Sequence, residues 1–169
     1  MAHVFKNKLT AKIAEFLNEI GIETRSVQLN EPTFLPGILI DSGKIQVDEE
    51  KLVYPGDLLH EAGHLAIMPG NLRSTLNGEV EAPNLDMDAI EAYAVAWSYA
   101  AIVHLEINPR FVFHDGGYRQ CSERLILTYG CGVYPGASGL EQAGMTVTGE
   151  RAKASGLPPY PYMLKWLRD

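Results

Sequence analysis

Residues Tyr54–Gly70 read YPGDLLHEAGHLAIMPG. Pro55, Gly56 and Asp57 favour a helix start and Pro69-Gly70 forces a stop, so the stretch predicts one short helix. Inside it, His60, Glu61 and His64 form the pattern His-Glu-x-x-His. Residues four apart on a helix share a face, so His60 and His64 can present imidazole nitrogens to one metal ion. Glu61 is displaced around the helix from both, poorly placed to ligate but near enough to act on a water beside the ion. That is the arrangement of zinc hydrolase helices in which the glutamate is the general base. The plainer alternative is a helix that carries two satisfied histidines. Gly63 weighs against it, because glycine inside a helix costs about 1 kcal/mol relative to alanine unless something needs the space. The glycine predicts that another element packs closely on this helix.

A catalytic zinc site needs a third protein ligand and an open position. The extension that would add a third histidine requires glycine and histidine where this chain has Ile67 and Gly70, which excludes that class. Glu91, twenty-seven positions after His64, sits in DAIEAYAVAWSYAA (Asp88–Ala101) among small and apolar neighbours. It is expected to be a buried carboxylate, and a buried carboxylate requires a cation as partner. Its other reading is a first-turn residue that compensates the helix dipole. Asp88, one turn earlier, is placed to accept the second N–H of a ligand histidine and fix its tautomer. Asp86 and Glu81 are weaker options for that role, and Asp86 suits a helix cap better. His104 lies on nearly the opposite face from Glu91 and reads as a packing residue, and His3 lies in the N-terminal stretch. Amide hydrolysis also needs a donor for the oxyanion. His114 and Tyr118 in FHDGGY are the candidates, with Tyr134 more remote and Asp115 expected to cap a turn or the following helix.

The 169 residues are the size of one domain, 1–169, with a loop-rich C-terminal segment from about 132. Net charge of −7 with no basic run argues against nucleic acid as a partner. The N-terminus lacks an apolar leader, and the longest apolar run, Ala92–Leu105, is too short and too interrupted to span a membrane. Two cysteines, Cys121 and Cys131, make no disulfide framework and suit reduced thiols in a cytoplasm. Leu9, Ile13, Phe16, Leu17 and Ile20 mark an amphipathic helix, Arg25–Leu29 a strand, and GILIDSGKIQVD a hairpin around Asp41-Ser42-Gly43. Asn71–Pro83 reads as a loop. A long helix should run from Leu85–Asp88 to about Ile107, another over CSERLILTYG, and short ones over Ser138–Ala143, Thr148–Ser155 and Tyr162–Arg168. The order predicts an α+β fold with a small, mostly antiparallel sheet on a helical layer.

Taken together, ILIDSGKIQVDEEKLVYPGDLLHEAGHLAIMP and IEAYAVAWSYAA resemble the ImmA/IrrE-type zinc metallopeptidase-like domain, a gluzincin-like group. The resemblance implies a minimal zincin-like fold, with His60, His64 and Glu91 binding one zinc ion per chain and Glu61 as general base. It also implies that the strand before the motif, Lys44–Val47, pairs with an extended substrate, and that the substrates are regulatory proteins. Tyr93 stands where such domains often carry asparagine, and Met68-Pro69 where a further histidine is common. The function expected is therefore zinc-dependent peptide hydrolysis. Two alternatives use the same residues: a zinc-containing binding or regulatory module without turnover, and a zinc hydrolase of a non-peptide amide.

Overall fold

The computed structural model of the chain describes residues 4–78 and 86–169, so His3 and Glu81 lie outside the described residues. The Asn7 carboxamide accepts from the backbone N–H groups of Leu9 and Thr10 at 2.8 and 3.2 Å and so caps the first helix, α1 (Lys8–Glu19). Its apolar stripe buries Ile13, Phe16 and Leu17, and Gly21 at φ +98° turns the chain out of it.

Three strands follow: β1 (Thr24–Ser26), β2 (Ile38–Asp41) and β3 (Lys44–Val47). Ser42 and Gly43 have φ of +53° and +72°, the two positive values that a two-residue hairpin turn needs to match strand twist. The spatial order is β1-β3-β2. β2 pairs antiparallel with β3, from Ile38↔Val47 to Asp41↔Lys44, while β1 pairs parallel with β3, from Thr24↔Ile45 to Ser26↔Val47. The sheet is mixed rather than mostly antiparallel. The cause is the connection 27–37, which carries the chain past the sheet so that the hairpin returns with β3 inserted beside β1. β3 is thereby central, with β1 and β2 at the two edges.

The helical layer is built on α2 (Asp57–Ile67) and α4 (Met87–His104), with α1 against α2. α4 is apolar nearly all round and is buried accordingly, with Ile90, Ala94 to Ser98 and Ala100 to Ile102 in the core. With α3 (Gly70–Arg73), α5 (Ser122–Gly130), α6 (Ala137–Gln142) and α7 (Gly149–Ser155), the described residues form seven α-helices and one three-stranded sheet, an α+β fold. Among the described residues no helix is long and apolar enough to cross a membrane.

Two expectations about helices fail. The stretch from Asn71 is not all loop, because α3 turns directly after Pro69. Its Arg73 donates to the carbonyls of Leu65 (3.0 Å) and Met68 (3.1 Å) at the end of α2, and to Arg168 (2.6 Å). Tyr162–Arg168 forms no helix, since its backbone donors are taken by distant partners: Leu164 N–H by the Met145 carbonyl and Arg168 N–H by Ala66. The same segment closes the core. The Trp97 indole donates to the Trp166 carbonyl at 2.9 Å, and Phe16 and His104 pack their rings on Trp166 at 4.9 and 5.2 Å. His104 is thus a packing residue.

Arg73→Ala leaves the Leu65 and Met68 carbonyls without their side-chain donor. It should lower unfolding free energy by about 1–3 kcal/mol with the urea slope unchanged; an unaltered urea midpoint would show that water replaces the guanidinium at no cost.

Candidate metal centre

α2 starts where it does because the chain over it is close. A Cβ on Gly56 would lie 1.9 Å from the Phe111 carbonyl oxygen, so only glycine lets segment 111–112 cross the helix start. Four residues on, His60 begins the histidine face. Its Nε2 lies 3.1 Å from the Nε2 of His64, with the rings edge to face. α4 reaches this face through Gly63, where a Cβ would meet the Ala94 carbonyl oxygen at 2.8 Å and Ser98 Oγ at 3.3 Å. The Ser98 hydroxyl bonds the carbonyls of Ala94 and Leu59, tying the two helices together.

That approach delivers Glu91. Its Oε1 is 3.5 Å from His60 Nε2 and its Oε2 is 3.2 Å from His64 Nε2. A tetrahedral zinc with bonds of about 2.0–2.1 Å separates neighbouring donors by about 3.3–3.4 Å. The three separations lie near that value, those to Glu91 being measured to its two different oxygens, so His60, His64 and Glu91 could hold such an ion. Glu61 completes a second grouping: with His60 and His64 it offers donor atoms that all lie within 4.8 Å of one another. Two carboxylates therefore flank one histidine pair. Glu91, however, is not the buried carboxylate expected from its neighbours. Its side chain is 50% exposed, because it sits in the second turn of α4 at the mouth of the site.

Burial holds the His60 imidazolium off. Together with the neighbouring His64 it pulls the pKa down from 6.5 to about 4, against the opposing pull of Glu91. The ring is thus neutral near pH 7, the form that ligates metals. The Nδ1 atoms of both histidines are buried and have no hydrogen-bond partner among the described residues. Asp88, expected to accept one of those N–H groups, instead stands exposed at the start of α4. Asp86 caps that helix through Asp88 N–H and Ala89 N–H.

The loop after Phe111 brings in the two oxyanion candidates. His114 Nε2 lies 2.7 Å from Asp57 Oδ1, and its ring stacks on Tyr54 at 3.6 Å. Burial raises the pKa of Asp57 in spite of the His114 partner. Tyr118 places its ring edge-on to His60 at 5.5 Å. Its hydroxyl is buried without a hydrogen-bond partner among the described residues. Burial first, and then the carboxylates of Asp57, Glu91 and Glu61, hold the phenol well above its ordinary pKa of 10.0, so it keeps its proton. Tyr118 has φ +55°, a left-handed conformation that costs a non-glycine residue on the order of 1 kcal/mol or more. Tyr134 belongs instead to an aromatic cluster with Tyr99, Tyr129 and Tyr160, and Asp115 accepts from Ser122 Oγ at the start of α5.

Asp57 was read in the sequence only as a helix-start residue. Its position three before His60 and four before Glu61, on the face they share, was the available clue to more. Two clefts meet at the centre. One, about 530 Å³, contains Glu61 and runs along Ile38, Leu39 and Ile40 of β2; the other, about 670 Å³, contains Glu91 and Tyr118 and lies between α4 and α5. The chain matches no family model, no curated protein and no solved structure.

Gly63→Ala should normally stabilise a helix, by about 1 kcal/mol. Here the added methyl must displace the Ala94 backbone, so the variant should unfold at lower urea. A gain in stability would mean that α4 does not depend on the glycine. For pH, the folded metal-free protein holds His60 neutral down to about 4, while the unfolded chain binds that proton from about 6.5. The unfolded state then carries more protons between these values, so stability is full above pH 6.5 and falls as the pH drops toward 4. Urea titrations across that window should show the slope in the native sequence and a smaller one in His60→Asn.

Proposed function

We propose that the chain is a zinc-dependent peptidase of minimal zincin-like fold, acting in the cytoplasm on an extended peptide or protein segment. One observation carries the reading: two imidazole nitrogens and a carboxylate from two helices converge at zinc-like spacing, while a second carboxylate, Glu61, faces a cleft along an edge strand. Two helices need not bring those three side chains together to stabilise a core, and a metal-free His–His–Glu cluster gains little from such an approach. The resemblance to ImmA/IrrE-type domains accords with this assignment.

His60, His64 and Glu91 would hold the ion, which supplies Lewis acidity and makes water acidic enough to lose a proton near pH 7. Glu61 would accept a proton from the attacking water and return it to the leaving amine. Tyr118, which keeps its own proton and has no other partner, donates to the oxygen on which negative charge develops. His114 acts through Asp57: the pair fastens the 112–118 loop to the start of α2 and so positions Tyr118.

The resemblance assigned substrate pairing to Lys44–Val47. That strand is central in the sheet, so the role passes to β2. Ile45 and Val47 turn their backbone groups toward β1, so Leu39 and Asp41 make the ladder to β3 and Ile38 and Ile40 face outward. Ile38 N–H is bonded to Leu35 and the Ile40 carbonyl to Gly78. Among the described residues the Ile38 carbonyl and Ile40 N–H have no backbone partner, so an added strand could pair there.

Elemental analysis of protein purified without chelator should find about one zinc per chain. Glu61→Gln should keep that zinc and lose at least about a hundredfold in peptide hydrolysis. A folded protein that takes up no zinc would overturn the metal reading, and full activity in Glu61→Gln would remove the glutamate as base.

A further inference from the structure

We infer that the cleft between α4 and α5 is a specificity pocket for a bulky apolar side chain of the substrate, with Phe34 as the ridge that divides it from the Glu61 cleft. The inference rests on the peptidase reading above and narrows it to a substrate class.

Phe34 is 76% exposed, yet its loop is tightly held. Thr33 Oγ1 donates to the Leu35 carbonyl at 2.6 Å and accepts from Gly37 N–H at 3.2 Å, and Ile38 N–H donates to the Leu35 carbonyl at 3.1 Å. Gly37 at φ +81° packs so closely that a Cβ would lie 2.5 Å from Leu52 N and 2.6 Å from the Asp48 carbonyl oxygen. Pro32 and Pro36 restrict the loop further. An aromatic ring is therefore presented to solvent in a set position, rather than left out by a slack loop. Phe34 is also the residue common to both clefts. A peptide that passes from the β2 edge across the centre must touch it.

The two clefts differ in chemistry. The first is bounded by strand backbone and suits an extended main chain. The second, about 670 Å³, has Ala92, Val95, Leu125 and Tyr129 in its walls, and its charged lining residues are Asp88 and Glu91. Aromatic or long aliphatic groups gain from such a surface, and acidic side chains are repelled by it. Because Glu91 belongs both to this cleft and to the histidine cluster, the residue seated there lies next to the bond to be cut.

Cys121 lines this cleft and Cys131 does not, and both are exposed, which gives an internal control that needs no turnover. The protein is alkylated with N-phenylmaleimide and with N-methylmaleimide, and each cysteine is followed by peptide mass mapping. The phenyl-to-methyl rate ratio should be about tenfold higher at Cys121 than at Cys131. It should fall toward parity in Phe34→Ala and in Ala92→Phe, which fills the cleft. In parallel, zinc-loaded protein is given an alanine-based octapeptide library varied at one position. Cleavage should favour Phe, Leu and Met over Asp and Glu beside the cut bond, and Ala92→Phe should shift the preference to small residues. Equal ratios at the two cysteines, or cleavage indifferent to the varied residue, would overturn the pocket while leaving the peptidase standing. Selective alkylation with no cleavage at all would instead overturn the peptidase and leave only an apolar binding cleft.

Discussion

The distance between α2 and α4 at Gly63 is set by backbone against backbone, with no side chain to soften it. The Ala94 carbonyl takes the space that any Cβ would need, and Ser98 bridges to Leu59 where an apolar residue would push the helices apart. Everything in the centre inherits this spacing, since the histidines come from one helix and Glu91 from the other. α4 is fixed from its far side too. A Cβ at Gly136 would fall 2.0 Å from the Ala92 carbonyl oxygen, and one at Gly139 would fall 2.1 Å from the Tyr93 ring. Glycines thus bring neighbouring segments against the helix on two faces, which sets the backbone position from which Glu91 projects.

Electrostatically, the site gathers three carboxylates, Asp57, Glu61 and Glu91, around a buried phenol that cannot give up its proton. His60 is held neutral by the same burial and so supplies no compensating charge. His114 answers one of the carboxylates through a 2.7 Å contact. The negative groups around the neutral His60 ring leave the site with charge that its own nitrogen does not balance. Loop strain at Tyr118 belongs to the same economy of the site: a left-handed tyrosine is held because its ring fits between His60, Phe113 and His114.

Much of this was legible in the sequence where the determinants are local. The periods of α1 and α2, the cap at Asp86 and the hairpin at Ser42-Gly43 each depend on residues within one or two turns of chain. Gly63 announced a close neighbour, and Glu91 was picked out by its apolar surroundings, although it proves half-exposed because its helix has only just begun there. What could not be read depends on distant pairing. The partner of β1 is decided by the route of residues 27–37, and the C-terminal segment stays out of a helix because Met145 and Ala66 claim its N–H groups. Phe34 carries no pattern of its own; it matters only because folding brings Glu61 to one side of it and Glu91 to the other.

The closure of the core by Trp166 and Arg168 has a bearing on how the protein is made. The indole of Trp97 finds its acceptor 69 positions later, and the end of α2 at Ile67 meets Arg168 101 positions later. A ribosome that has already released both α2 and α4 thus holds a chain whose central tryptophan is still without its cover. Until the closing segment emerges, an apolar surface stays open and vulnerable to association, whatever the order in which the helices themselves form. Vectorial synthesis therefore leaves the centre assembled from early residues but locked only by late ones.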